Sequence, residues 1–194
     1  MNEKPQKPLE LEAAACFARR RKSFPPQLLD IRTPDAFDKE HLAGAKNIPP
    51  AQWGQFLEEI QPLSQLIFID ETGSERARQA AQWARGMGFP SACFVTGGHQ
   101  ALMAQLAAEA EVLSKLPLPA WKERLETLFD QEIRPILQAD GGGAEITNIT
   151  PEQLQIRYLG ACISCSGGKE GTKKLIQGCI QNWLNHDFEI EVLV

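Results

Sequence analysis

Three short runs, Leu28-Leu29-Asp30-Ile31, Leu66-Ile67-Phe68-Ile69 and Ala92-Cys93-Phe94-Val95, constrain the first half of this chain more than any other feature. Each is apolar at nearly every position, so each must be covered on both faces. Helical spacing fills the intervals: Ala51 to Ile60, Ser74 to Gly86, and a last segment from Gly97-Gly98 to about Ala108. Leu9 to Arg21 reads as an opening helix that ends in Arg19-Arg20-Arg21, where cations favour the helix dipole. Thr33-Pro34-Asp35 reads as a cap with proline in the first turn. Buried strands alternating with helices predict an α/β fold, a parallel sheet with helices on both faces.

The rhythm changes after residue 108. Residues 1–8, polar and carrying Pro5 and Pro8, read as a disordered tail, and residues 109–120, ending with Pro117 and Pro119, as a linker. Two domains are therefore expected, 9–108 and 121–194. In the second, Leu125, Leu128, Phe129, Ile133, Ile136 and Leu137 share one helix face, and Pro135 predicts a kink. Asp140-Gly141-Gly142-Gly143 stops that helix. Ile146, Ile149, Leu154, Ile156 and Tyr158 suggest a hairpin turning at Pro151-Glu152-Gln153. A helix with Leu175, Ile176, Cys179, Ile180 and Trp183 on one face follows, then an alternating strand to Val194. The order is α-β-β-α-β.

Chemistry concentrates in Gly160-Ala161-Cys162-Ile163-Ser164-Cys165, two thiols between a strand and a helix starting near Lys169. That arrangement suits metal binding or redox work. A four-thiolate site needs twice what the motif offers, so two chains each giving Cys162 and Cys165 across a two-fold axis complete it most simply. Cys179 belongs on a core-facing helix side and is not a favoured ligand. A helix N-terminus after Cys165, with Lys169, Lys173 and Lys174, favours thiolate and an anionic ligand; the lysines read equally well as a solvated face. Gly160 and Gly167-Gly168 allow the backbone to bend around a cluster. The rivals for the same motif are a thiol–disulfide oxidoreductase and a zinc-bridged dimer.

A net charge of −5, with neither half basic, gives nucleic-acid binding no electrostatic support. No apolar run reaches membrane-spanning length, and the N-terminus lacks the apolar core of a secretory signal. Five cysteines, an odd count, fit free thiols in a reducing cytoplasm better than a disulfide framework.

Leu28-Leu29-Asp30-Ile31-Arg32-Thr33-Pro34, Glu40-His41-Leu42-Ala43-Gly44-Ala45-Lys46-Asn47-Ile48-Pro49 and Gly97-Gly98 resemble a rhodanese-like domain. The resemblance implies a loop after a strand, headed by a catalytic cysteine, whose backbone N–H groups cradle an anionic sulfur species. Asp70 stands at that head, in Asp70-Glu71-Thr72-Gly73-Ser74-Glu75-Arg76, and a carboxylate cannot carry a persulfide. Cys16 and Cys93 do not compensate. A folding and interaction unit is expected, not an enzyme; a carboxylate-based hydrolase using Asp70 with Arg76 is the sharper alternative. His41 is expected to be a structural hydrogen-bonder and His99 a loop residue.

Ile133-Arg134-Pro135-Ile136-Leu137-Gln138-Ala139-Asp140-Gly141-Gly142, the hairpin, and Leu159-Gly160-Ala161-Cys162-Ile163-Ser164-Cys165 resemble the NifU C-terminal (Nfu-type) domain. Gly143, where an acidic residue is frequent, and Ser166-Gly167-Gly168, in place of Pro-Ser-Ser, depart from its pattern. The resemblance implies an iron–sulfur cluster carrier: a [4Fe–4S] cluster, with [2Fe–2S] as second choice, bridging a homodimer through Cys162 and Cys165. The implied partners are apo iron–sulfur proteins, with a sulfur donor or scaffold docking on the N-terminal domain.

Overall fold

The computed structural model describes residues 8–22, 24–58, 60, 64–109, 112–164 and 168–193. The chain divides into two compact units, Met1–Glu109 and Ala110–Val194. No described helix is long and apolar enough to cross a membrane.

The first unit runs β1 (Glu10–Leu11), α1 (Ala13–Arg20), β2 (Gln27–Asp30), α2 (Pro34–Lys39), β3 (Lys46–Asn47), α3 (Trp53–Glu58), β4 (Leu66–Ile69), α4 (Glu75–Gly86), β5 (Cys93–Val95) and α5 (Gly98–Ala108). The sheet order is β1-β5-β4-β2-β3 and every neighbouring pair is parallel. Alternation along the strands divides their side chains between two cores. Leu28, Ile67, Ile69, Cys93 and Val95 pack on Cys16 and Phe17 of α1 and Leu102 of α5. Leu29, Ile31, Phe68 and Phe94 pack on Ala77, Ala80, Ala81 and Ala84 of α4, whose small side chains bring that helix close to the sheet. Each large side chain so buried contributes roughly 1.5–3 kcal/mol. The parallel sheet covered on both faces agrees with the expectation from sequence.

Two local readings are corrected. Leu9 to Leu11 does not open the first helix: the N–H groups of Phe94 and Thr96 donate to Leu9 O and Leu11 O at 2.9 Å, and the free edge of β5 takes this stretch as β1. His99 is not a loop residue but lies in the first turn of α5, only 6% exposed. The N-terminus of α5 also abuts the loop after β4. Gly98 has φ +56°, and a Cβ there would lie 2.5 Å from Asp70 O and from Gly73 N. Gly98→Ala should therefore cost roughly 2–5 kcal/mol, the left-handed backbone penalty plus overpacking against backbone that cannot retreat. Urea unfolding of the full chain measures it.

The second unit runs α6 (Leu118–Leu128), α7 (Arg134–Ala139), β6 (Gly142–Ile149), β7 (Gln153–Gly160), α8 (Ala161–Ser164), α9 (Gly168–Leu184) and β8 (Glu189–Leu193). β7 is central, antiparallel to β6 and parallel to β8. Ala144, Leu154, Ile156, Tyr158 and Ile190 face Trp121, Leu125, Phe129, Ile133, Ile176, Ile180 and Leu184. The other sheet face is polar, with Glu145 paired to Arg157 and Gln155 bonded to Glu191. Sheet and helices thus form two layers.

Pro135 acts as its chemistry demands, but by a π-helical turn over Phe129–Ile133 ahead of α7. Arg134 straps that irregular stretch, reaching Glu126 at 2.6 Å and Asp130 at 2.5 Å. In the stretch read as a linker, a 3-10 turn spans Leu113–Lys115 with Leu113 fully buried in this core, and α6 begins at Leu118.

Candidate functional site

Cys162 sits where the hairpin gives way to helix. Gly142 and Gly160 are register partners at the open end of β6 and β7. Gly160 takes φ +56° to turn the chain, and a Cβ on it would collide with Gly141 O. The N–H of Ala161 then donates to Gly141 O at 3.0 Å, which fixes the start of α8. Cys162 is therefore held inside a short helix, between the strand and the helix that the sequence placed on either side of it. It is a free thiol, 9% exposed, and part of the core of its unit.

The Cys162 sulfur fills the space a side chain at Gly142 would take, and a Cβ there would overlap Sγ well inside contact distance. Leu137 O, 3.4 Å from that same Cβ position, closes the other side. Four residues before the cysteine, the Tyr158 hydroxyl donates to Lys169 O at 2.9 Å and ties β7 to the beginning of α9. Burial first, then Cys162 and Glu170, push the Tyr158 phenol up to about 12, so it stays neutral beside the sulfur. Leu159 and Ile163, flanking the site, and Ile136 on α7 are exposed apolar side chains.

Cys165 lies outside the described residues, as do Ser166 and Gly167. Cys179 packs against the core, and burial followed by Glu132 raises its thiol to about 11, which suits a structural cysteine more than a ligand. Among the described residues no group of three or more His, Cys, Asp or Glu side chains could hold a metal. The donor chemistry of the thiol pair nonetheless fits iron. Gly142 and Tyr158 were not legible as site residues, because only the hairpin register brings them to Cys162.

In the first unit Asp70 follows β4 directly and is 6% exposed. Its carboxylate accepts from Gly73 N at 2.6 Å, from Ser74 N at 3.0 Å and from the Ser74 hydroxyl. The N–H groups of Gly73 and Ser74 are thus spent on the loop's own first residue. Arg76 donates to Ile31 O at 2.9 Å, which ties its guanidinium to the residue after β2. Beside the loop, Arg32 grips buried Asp30 through Nε at 3.0 Å and through a second nitrogen at 2.7 Å. His99 Nε2 lies 3.7 Å from Glu40, and burial, then Arg32, depress its pKa. His41 makes the structural contact expected of it, Nδ1 to Phe37 O at 2.9 Å. Cys16 and Cys93 are both fully buried, and burial raises the Cys16 thiol to about 12.

Residues 13–105 match the model of the rhodanese-like domain and residues 125–191 that of the NifU-like domain. The chain joins a rhodanese-like domain to a NifU-like domain. Over 69 residues it is 29% identical to a nitrogen fixation protein NifU from Nostoc sp., which takes in 36% of this chain and 23% of that one. A NifU from Anabaena sp. (strain L31) is 28% identical over 69 residues, 36% of this chain and 62% of its own, and one from Leptolyngbya boryana is 30% identical over 77, 38% of each. The chain therefore spans less than two thirds of the length of these relatives. Among solved structures, a rhodanese-related protein from Thermoplasma volcanium aligns at TM-score 0.44 and 20% identity, covering 50% of this chain and 91% of that one. A rhodanese-like domain protein from Staphylococcus aureus aligns at TM-score 0.43 and 19% identity, covering 48% and 89%.

Proposed function

We propose that this chain carries an iron–sulfur cluster as cargo, held by the Cys162 and Cys165 thiolates of two copies, and delivers it to apo-proteins. The observation that supports this most is the free thiol of Cys162, fixed by the Gly141-Gly142 and Gly160 turn within a segment matching the NifU-like domain. A thiolate cluster takes about four cysteines. With Cys179 packed into the core, the remaining pair comes most simply from a second copy. We assign [4Fe–4S] as the cargo, the type that the resemblance to the Nfu-type domain implies.

Delivery is a ligand exchange. A client thiol forms a new iron–sulfur bond and gives up its proton as one of this chain's thiolates leaves iron and takes one, so no electron changes hands. The free thiols among the described residues favour a reducing compartment, here the cytoplasm. Anaerobic reconstitution of the full chain with ferrous salt and sulfide tests the reading: a brown dimer with about four irons per pair is expected for this cluster type. A colourless monomer overturns it.

We assign the rhodanese-like unit a docking role, toward a sulfur donor, a scaffold or a client, without sulfur transfer of its own. Asp70, held by its loop, offers no group that can carry sulfane sulfur. Thiosulfate:cyanide assay of the full chain should give the rate of buffer alone. Turnover above that rate would overturn this.

A further inference from the structure

The sulfur of Cys162 occupies the place that a side chain at Gly142 would take. The residue is 9% exposed, and a Cβ on Gly142 would overlap Sγ, with the Cys162 N–H nitrogen at 3.2 Å and Leu137 O at 3.4 Å from the same point. Any residue but glycine at 142 would fill this seat. Gly142 is not glycine for its backbone: its φ is not among the positive ones, so the conformation itself is open to any side chain. What only glycine supplies there is space for the sulfur. A turn about the Cys162 Cα–Cβ bond is a move between staggered positions.

We propose that Gly142 is a positioning residue that sheathes the Cys162 thiol in the empty protein, so that loading begins with this thiol turning out of its seat. The proposal rests on the cargo reading given above only for the meaning of "loading"; the seat and its occupant stand without it. A sheathed thiol is protected from oxidation and from stray soft metals while the carrier is empty, because both reactions need an approachable sulfur.

The test is the alkylation rate of Cys162 by iodoacetamide in the full-length, metal-free chain at fixed pH. A Cys165→Ser background leaves Cys162 as the one thiol in the tryptic peptide from Tyr158 to Lys169. Mass spectrometry reads that peptide against the Cys179 peptide as internal reference. Gly142→Ala should raise the Cys162 rate by about tenfold or more and leave Cys179 unchanged, since the new methyl group takes the sulfur's place. An unchanged Cys162 rate in folded Gly142→Ala overturns the proposal.

If Gly142→Ala is too unstable to assay, thermal unfolding in the Cys162→Ala background decides. There the added methyl meets no sulfur, and the loss in melting temperature caused by Gly142→Ala should largely vanish. A loss of equal size in both backgrounds assigns the conflict to Leu137 O and the Cys162 backbone, and sinks the sheath. Neither measurement uses iron. A chain that passes them but fails reconstitution loses only its cargo, and one that binds a cluster but shows no rate change loses only the sheath.

Discussion

Cys162→Ser should leave the reconstituted chain colourless and monomeric. In the proposed pair the substitution removes two of four sulfur ligands at once, one from each copy. Hydroxyl oxygen is a poor substitute for thiolate toward iron, and changes even one shell further out cost metal sites about 10–100-fold. Bound iron and sulfide should therefore fall by more than about tenfold, with the broad visible absorption lost. The fold should be nearly untouched, because serine is close to cysteine in size and the seat at Gly142 still admits it. Far-ultraviolet circular dichroism alongside iron analysis separates the two effects. Retention of a full cluster by Cys162→Ser would remove this residue from the site.

The second large effect concerns the buried ion pair of the rhodanese-like unit. Asp30 is 1% exposed and Arg32 7%, and the guanidinium holds the carboxylate through Nε at 3.0 Å and a further nitrogen at 2.7 Å. Arg32 also donates to Glu40 O at 2.7 Å. Arg32→Ala leaves the Asp30 carboxylate buried with chiefly the position-32 N–H, 3.0 Å away, as donor, and should cost about 3–5 kcal/mol. Arg134→Ala is the contrast. Arg134 also bridges two carboxylates, but its partners Glu126 and Asp130 reach solvent, with side chains 32% and 68% exposed, so the loss should stay near 1 kcal/mol. Urea unfolding of the full chain, followed by tryptophan fluorescence, measures both. Equal losses would mean that burial does not set the value of these pairs.

The sheet of the first unit was legible because β2, β4 and β5 are so apolar that no half-exposed placement is tolerable. β1 and β3 were not: each is two residues long and exists through the edge it pairs with, which no local pattern encodes. Leu9 to Leu11 also satisfies a helical spacing, and the carbonyl acceptors offered to β5 decide the matter. In the second unit the order of elements followed from periodicity and from the stop at Asp140-Gly141-Gly142-Gly143. The burial of Cys162 did not follow, because it depends on Gly142 meeting Gly160 across the hairpin. Asp70 was legible as the residue at the head of its loop; that the loop closes around its carboxylate was not, since donor directions belong to the folded backbone.

The irregularity in β6 between Ile146 and Asn148 bears on how copies of this chain can meet. β6 is an outer strand of its sheet, and an unbroken outer strand is a template onto which further strands add without limit. At the irregularity the Thr147 hydroxyl turns back to Gln155 O at 3.1 Å, and the rim loses its even spacing of donors and acceptors. Growth of ordered filaments from that rim is thereby discouraged.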